Sequence, residues 1–123
     1  MTNLCDSTCE PCRIGAPLVT KAEQADLLTE LKDWNVKNID GVDQLIKVYK
    51  FKNFVDALAF TNLLGELAEE HGHHPGLLTE WGKVTVTWWT HKINGLHKND
   101  FILAAKTEQV FSEGPGSLEP GIY

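Results

Sequence analysis

The alternation of apolar and polar positions is irregular at the start of the chain and becomes regular at Thr20. Thr20-Lys21-Ala22-Glu23 has the capping-box form, in which the threonine hydroxyl and the glutamate carboxylate each satisfy a free backbone amide. Leu27, Leu28 and Leu31 follow on one face, which predicts a first helix ending near Lys32. Residues 34–39 and 45–51 are rich in β-formers and flank Asp40-Gly41, a turn-forming pair, so an antiparallel hairpin is expected. Asn53 stands where it can cap a second helix. Its buried face is expected to run through Phe54, Leu58, Thr61, Leu64 and Ala68, and the helix to reach Glu70 with Gly72 as its stop.

Residues 77–81 are expected to form a further short strand. After Gly82, Val84, Val86 and Trp88 alternate with Thr85, Thr87 and Trp89, a two-residue period that makes residues 83–90 the second strand of another hairpin. Asn99 is the expected cap of a last helix carrying Phe101, Ile102, Ala105 and Phe111 on its apolar face. Residues 1–19 lack periodicity and read as a loose arm, residues 20–111 as one domain, and the Gly- and Pro-containing residues 112–123 as a disordered tail. The order helix, strand, strand, helix, strand, strand, helix predicts an α+β fold, a two-layer structure with a four-stranded antiparallel sheet and helices packed on one face. Such a sheet has two open edges, and pairing one of them between subunits makes a homodimer an expectation.

Composition narrows the function. With 42% hydrophobic and 23% charged residues, the 123-residue chain can bury one ordinary core and needs no structural metal to fold. The formal charge is −6 and Arg13 is the only arginine, which argues against direct nucleic-acid binding. No apolar run reaches the roughly 20 residues that span a bilayer. The first residues lack the basic and apolar regions of a signal peptide, so a cytoplasmic location is expected. Cys5, Cys9 and Cys12 precede the domain and are odd in number, which suits a reducing compartment. Cys9 and Cys12 form a C-x-x-C pair that supplies half of a zinc site, with no second pair to close it.

The histidines are unevenly spread. Four of five lie between residues 71 and 91, three of them within Glu69-Glu70-His71-Gly72-His73-His74-Pro75 at the end of the second helix. Imidazole gives and takes protons near neutrality, so such a cluster suits general acid and base chemistry. His91, at the end of the 83–90 strand, shares the parity of Thr85, Thr87 and Trp89 and can close over His73 and His74. His71 and His97 read as solvated residues in helix-end loops. Zinc binding by the cluster is the competing reading. Against it, adjacent His73 and His74 tend to point apart, no H-E-x-x-H pattern exists, and no cysteine accompanies them.

E-x-x-x-H-H-P, followed after a fixed gap by a V-x-V strand ending in T-H, resembles the pterin-4a-carbinolamine dehydratase family, bacterial type. The likeness covers most of residues 20–111. His73, His74 and Pro75 correspond to the family's H-H-P, Val84-Thr85-Val86-Thr87 to its strand, and Thr90-His91 to its strand-end histidine. Asp100 and Ala104-Ala105 resemble its final helix. Trp34 matches a tryptophan near the family's pterin site, and Glu69 an acidic residue beside its cluster. Gly72 departs from the aspartate or asparagine of many relatives, so no side-chain role is carried over there.

The resemblance implies dehydration of 4a-hydroxytetrahydropterin to quinonoid dihydropterin, which recycles the cofactor of aromatic amino-acid hydroxylases without a metal or redox cofactor of the enzyme's own. It implies His73, His74 and His91 as catalytic residues, with His73 and His91 as the proton-transfer pair and His74 holding the pterin. Glu69, Trp34 and Thr90 are the implied substrate-binding residues. Trp34 reads equally well as a core residue closing the first helix. The family also implies a homo-oligomer, dimer or tetramer, and has members that bind a transcription factor, so a regulatory protein partner is a second class of function.

Overall fold

A computed structural model describes residues 18–114. Its elements in chain order are α1 (Lys21–Leu28), β1 (Asn35–Ile39), β2 (Val42–Lys50), α2 (Phe54–His71), β3 (Gly76–Glu80), β4 (Lys83–Trp88) and α3 (Lys98–Glu113). A 3₁₀ turn, His91–Ile93, lies between β4 and α3. This is the α+β order that the sequence pattern predicts. Cys5, Cys9, Cys12 and the C-terminal segment from residue 115 lie outside the described residues.

The capping box forms as expected: Glu23 N–H donates to Thr20 Oγ1 at 3.1 Å, and Thr20 N–H to Glu23 Oε1 at 2.8 Å. Asp40 and Gly41 take positive φ values of 52° and 84°, the backbone that a two-residue hairpin turn demands. Two hairpins result, and they join through their second strands to give the antiparallel order β1-β2-β4-β3. Leu45 and Tyr49 of β2 and Val84, Val86 and Trp88 of β4 turn their side chains to the same face. There they pack with Ala57, Phe60 and Leu64 of α2 and with Phe101 and Leu103 of α3 in one core. Thr61 and Thr79 hydroxyls meet at 2.6 Å and tie α2 to β3. The opposite face of the sheet leaves Val48 and Leu78 exposed on either side of Thr85.

Four local expectations are corrected. First, α1 stops at Leu28 rather than near Lys32. Its end tightens into i-to-i+3 bonds, Thr29 N–H to Asp26 O and Leu31 N–H to Leu28 O, which swing Leu31 into the core. Second, the buried stripe of α2 is Ala57, Phe60, Leu64 and Ala68, whereas Phe54 and Leu58 are 45% and 43% exposed. The start of this helix is apolar around most of its circumference, so periodicity alone could not choose the face.

Third, β4 ends at Trp88, so His91 opens the 3₁₀ turn instead of closing a strand. Fourth, His97 and not Asn99 caps α3. Its Nδ1 accepts the Asn99 N–H at 3.0 Å, and its own N–H donates to Asp100 Oδ2 at 2.9 Å, so His97 is buried rather than solvated.

Candidate active site

Gly72 closes α2 in the left-handed conformation, φ 60° and ψ 31°, where a glycine meets no Cβ penalty. The reversal lets His73 N–H reach back to Ala68 O at 3.1 Å and sends the two following imidazoles to different surroundings. His73 turns inward and is only 6% exposed, its ring stacked at 5.9 Å on that of Trp88. Its Nε2 lies 2.7 Å from Asp100 Oδ1. His74 stays outside with 61% of its side chain exposed, and its Nε2 meets Glu69 Oε2 at 2.5 Å. Each carboxylate meets its imidazole at Nε2 and so orients the ring.

Asp100 is the centre of the buried half. It is 0% exposed, and besides holding His73 it accepts the Thr90 hydroxyl at 2.7 Å and the His97 N–H at 2.9 Å through Oδ2. A carboxylate so far from water is tolerable because its oxygens are occupied by donors. Thr90 in turn pairs with Gly95 across the loop, N–H to O at 2.8 Å, and this closes the bend that carries His91 and Lys92.

Gly72, His73, His74, Thr90, His91 and Lys92 together line a cleft of about 320 Å³. That is at the lower end of the range for small-molecule sites, and room enough for a flat bicyclic ring. Five of the six expected site residues therefore come together: the three histidines and Thr90 in the wall, and Glu69 behind His74. Trp34 is the exception. It is 4% exposed, absent from the cleft lining, and donates its indole N–H to Glu108 Oε1 at 3.0 Å.

Lys47 and the Tyr49 hydroxyl bond the same carboxylate, and burial, with Glu108 adding a hydrogen bond and its charge, pushes the Tyr49 phenol far above its usual range. Asp100 and Lys92 were not among the expected site residues. Asp100 carried a signal, since it stands three residues after His97 in the spacing of a capping box, with a histidine in the place where serine or threonine is usual. Among the described residues no three His, Cys, Asp or Glu side chains converge in a way that could hold a metal ion.

These features define a small α+β protein with a histidine-walled cleft, and comparison with known proteins gives it a family. Residues 17–110 match the model of the pterin 4 alpha carbinolamine dehydratase family, to which the chain belongs. A transcriptional coactivator/pterin dehydratase from Brucella melitensis has a similar crystal structure. The two are 30% identical with a TM-score of 0.69, over 76% of this chain and 98% of that one. A pterin dehydratase-like protein identified as a RuBisCO assembly factor in the alpha-carboxysome shares the fold at a TM-score of 0.54. It is 23% identical, over 63% of this chain and 88% of its own.

Proposed function

We propose that the cleft dehydrates 4a-hydroxytetrahydropterin to quinonoid dihydropterin and water, and so regenerates the cofactor of an aromatic amino-acid hydroxylase. The observation that carries this reading is the convergence of His73, His74 and His91 on one small cleft, two of them backed by carboxylates. Membership of the family supports it. The C4a–O bond breaks as the N5 lone pair forms the C4a–N5 double bond. The leaving hydroxide takes a proton from one imidazolium, and the N5 proton passes to a second imidazole, so protons balance over the turnover.

Burial argues for a different division of labour from the His73–His91 pair that the resemblance implies. His74, exposed and held by Glu69, is the better donor to the leaving oxygen. His91, at the cleft wall, accepts the N5 proton. His73, locked to Asp100, fixes the ring by hydrogen bonding. Thr90 acts through Asp100, and Trp34 is assigned to the core.

The test follows dehydration of freshly generated 4a-hydroxytetrahydropterin by ultraviolet absorbance, with wild-type, EDTA-treated and His74→Ala protein. Acceleration that survives EDTA and falls about 10²- to 10⁴-fold in the variant is expected. Loss of activity on chelation would favour a metal-dependent reaction instead, and full activity in His74→Ala would remove that residue from the mechanism.

A binding role alongside catalysis is the second reading. The description of the Brucella relative as a transcriptional coactivator supports it, as do the exposed apolar side chains Phe54, Val55 and Leu58 on α2. We further propose a homo-oligomer, because β1 and β3 are open sheet edges, and analytical ultracentrifugation would test this by finding a species heavier than the 13.7 kDa chain. No helix among the described residues is long and apolar enough to cross a membrane, and the three cysteines fit a cytoplasmic location.

A further inference from the structure

Two of the three cleft histidines are oriented by carboxylates, His73 by Asp100 and His74 by Glu69. His91 is not. Among the described residues its imidazole makes no hydrogen bond or ion pair, and its ring contact is the indole of Trp89, with centroids 4.4 Å apart and planes inclined by 31°. That is the offset arrangement in which aromatic rings attract.

The strand places this indole. Trp88 points into the core, and Trp89, the first residue beyond β4, is partly buried and packs against the edge of that core while its ring reaches the outer face of the sheet beside Gly76. Gly76 of β3 pairs with Thr87, two residues before Trp89 on that same face. A Cβ built on Gly76 would lie 3.5 Å from Trp89 Cζ3 and 3.9 Å from Cη2. A methyl group at Gly76 would thus just touch the ring, which faces a stretch of β3 that carries no side chain.

We propose that Trp89 is a positioning residue for the dehydration, holding the plane of the His91 imidazole at the cleft wall by stacking, with Gly76 providing the clearance for its ring. This rests on the dehydratase reading given above. The chemistry explains why an indole stands where the other two histidines have carboxylates. A carboxylate fixes one ring nitrogen by a hydrogen bond, whereas an aromatic face fixes the plane and leaves both nitrogens free to exchange protons. A base that must take the N5 proton and pass it on needs that freedom.

The test uses full-length Trp89→Leu and Trp89→Phe beside the wild type. In proton–carbon correlation spectra, the wild-type His91 ring protons should be shifted upfield by the indole ring current, and Trp89→Leu should return them to ordinary values. In the absorbance assay Trp89→Leu should lower kcat about three- to tenfold, the size of one aromatic pair contact expressed as a rate, with KM nearly unchanged. Trp89→Phe should recover most of the loss. An unshifted His91 spectrum in the wild type overturns the proposal without touching the dehydratase reading, as does a Trp89→Leu protein as active as wild type. A fall in activity matched by loss of native structure in both variants overturns it in favour of a purely structural tryptophan. Absence of any acceleration by wild type overturns the dehydratase reading, and the positioning role with it.

Discussion

Asp100 and Glu108 stand on the same helix about two turns apart, and each gathers three donors. Asp100 binds His73, Thr90 and the His97 amide, while Glu108 binds the Trp34 indole, Lys47 and Tyr49. The difference lies in what the donors can do next. A Trp, a Lys and a neutral Tyr around Glu108 are fixed in the protonation states they hold near neutrality, so this cluster pins α3 to the sheet. His73 at Asp100 is an imidazole in the wall of the cleft. One helix therefore carries a carboxylate that holds it to the sheet and another that holds a residue of the cleft wall, and Asp100 is fully buried while Glu108 retains 32% side-chain exposure.

The comparison can be broken at either end. Replacing Asp100 with Asn should have the largest effect on rate. Its amide is a poorer acceptor and no longer holds the His73 ring in place, so kcat should fall on the order of 10²-fold while far-ultraviolet dichroism stays native. A variant with wild-type turnover would reduce Asp100 to a helix cap. Glu108→Gln should do the reverse. Loss of the charge shared by Lys47 and Tyr49 should lower stability by about 1–2 kcal/mol in urea unfolding, discounted for its partial exposure, with turnover unchanged. If turnover dropped and stability did not, the two clusters would have exchanged roles.

Smaller effects come from pH. The Tyr49 phenol is raised by burial first and by Glu108 second, so the neutral form belongs to the folded state. The stability it contributes is complete below the ordinary phenol value near pH 10 and falls as pH rises above it, where only the unfolded chain ionises. Melting temperature measured from pH 8 to 11 should decline more steeply in the wild type than in Tyr49→Phe.

Smallest of all is the acid side. Glu23 is lowered by the Thr20 backbone and hydroxyl donors, and Asp43 by the Asn38 amide, with Lys21 adding charge. What these carboxylates contribute is present above the usual carboxylate range and lost as pH falls through their lowered values. A Glu23→Gln, Asn38→Ala double variant should therefore show a flatter melting curve between pH 5 and 3. An unchanged slope would mean that these surface bonds contribute nothing measurable.

Local chemistry in the sequence led to much of this molecule. The capping box at Thr20, the Asp40-Gly41 turn and the glycine stop at Gly72 each depend on near neighbours, and all three stand as expected. The histidines were visible as a cluster for the same reason. What stayed hidden depends on distant partners. Trp34 reads as a ring platform or a core residue, and the partner of its indole N–H, Glu108, stands 74 positions away where no local pattern points to it. His97 was hidden by its type, because a histidine rarely caps a helix and its Nδ1 is seldom weighed as an acceptor against serine or aspartate. Trp89 looked like the outward member of an alternating strand, and only the pairing of Gly76 with Thr87 revealed what its ring lies on.

The two carboxylate–histidine contacts also differ in when they can form. Glu69 and His74 are 5 residues apart at one helix end, whereas His73 and Asp100 are separated by 27, with the whole of β3 and β4 between them. The first needs only the last turn of α2. The second must wait until the hairpin has closed and α3 has docked, because loop closure precedes any long-range contact. During refolding, the cleft should acquire its exposed dyad early and its buried one last, so pterin binding should appear only with the final kinetic phase.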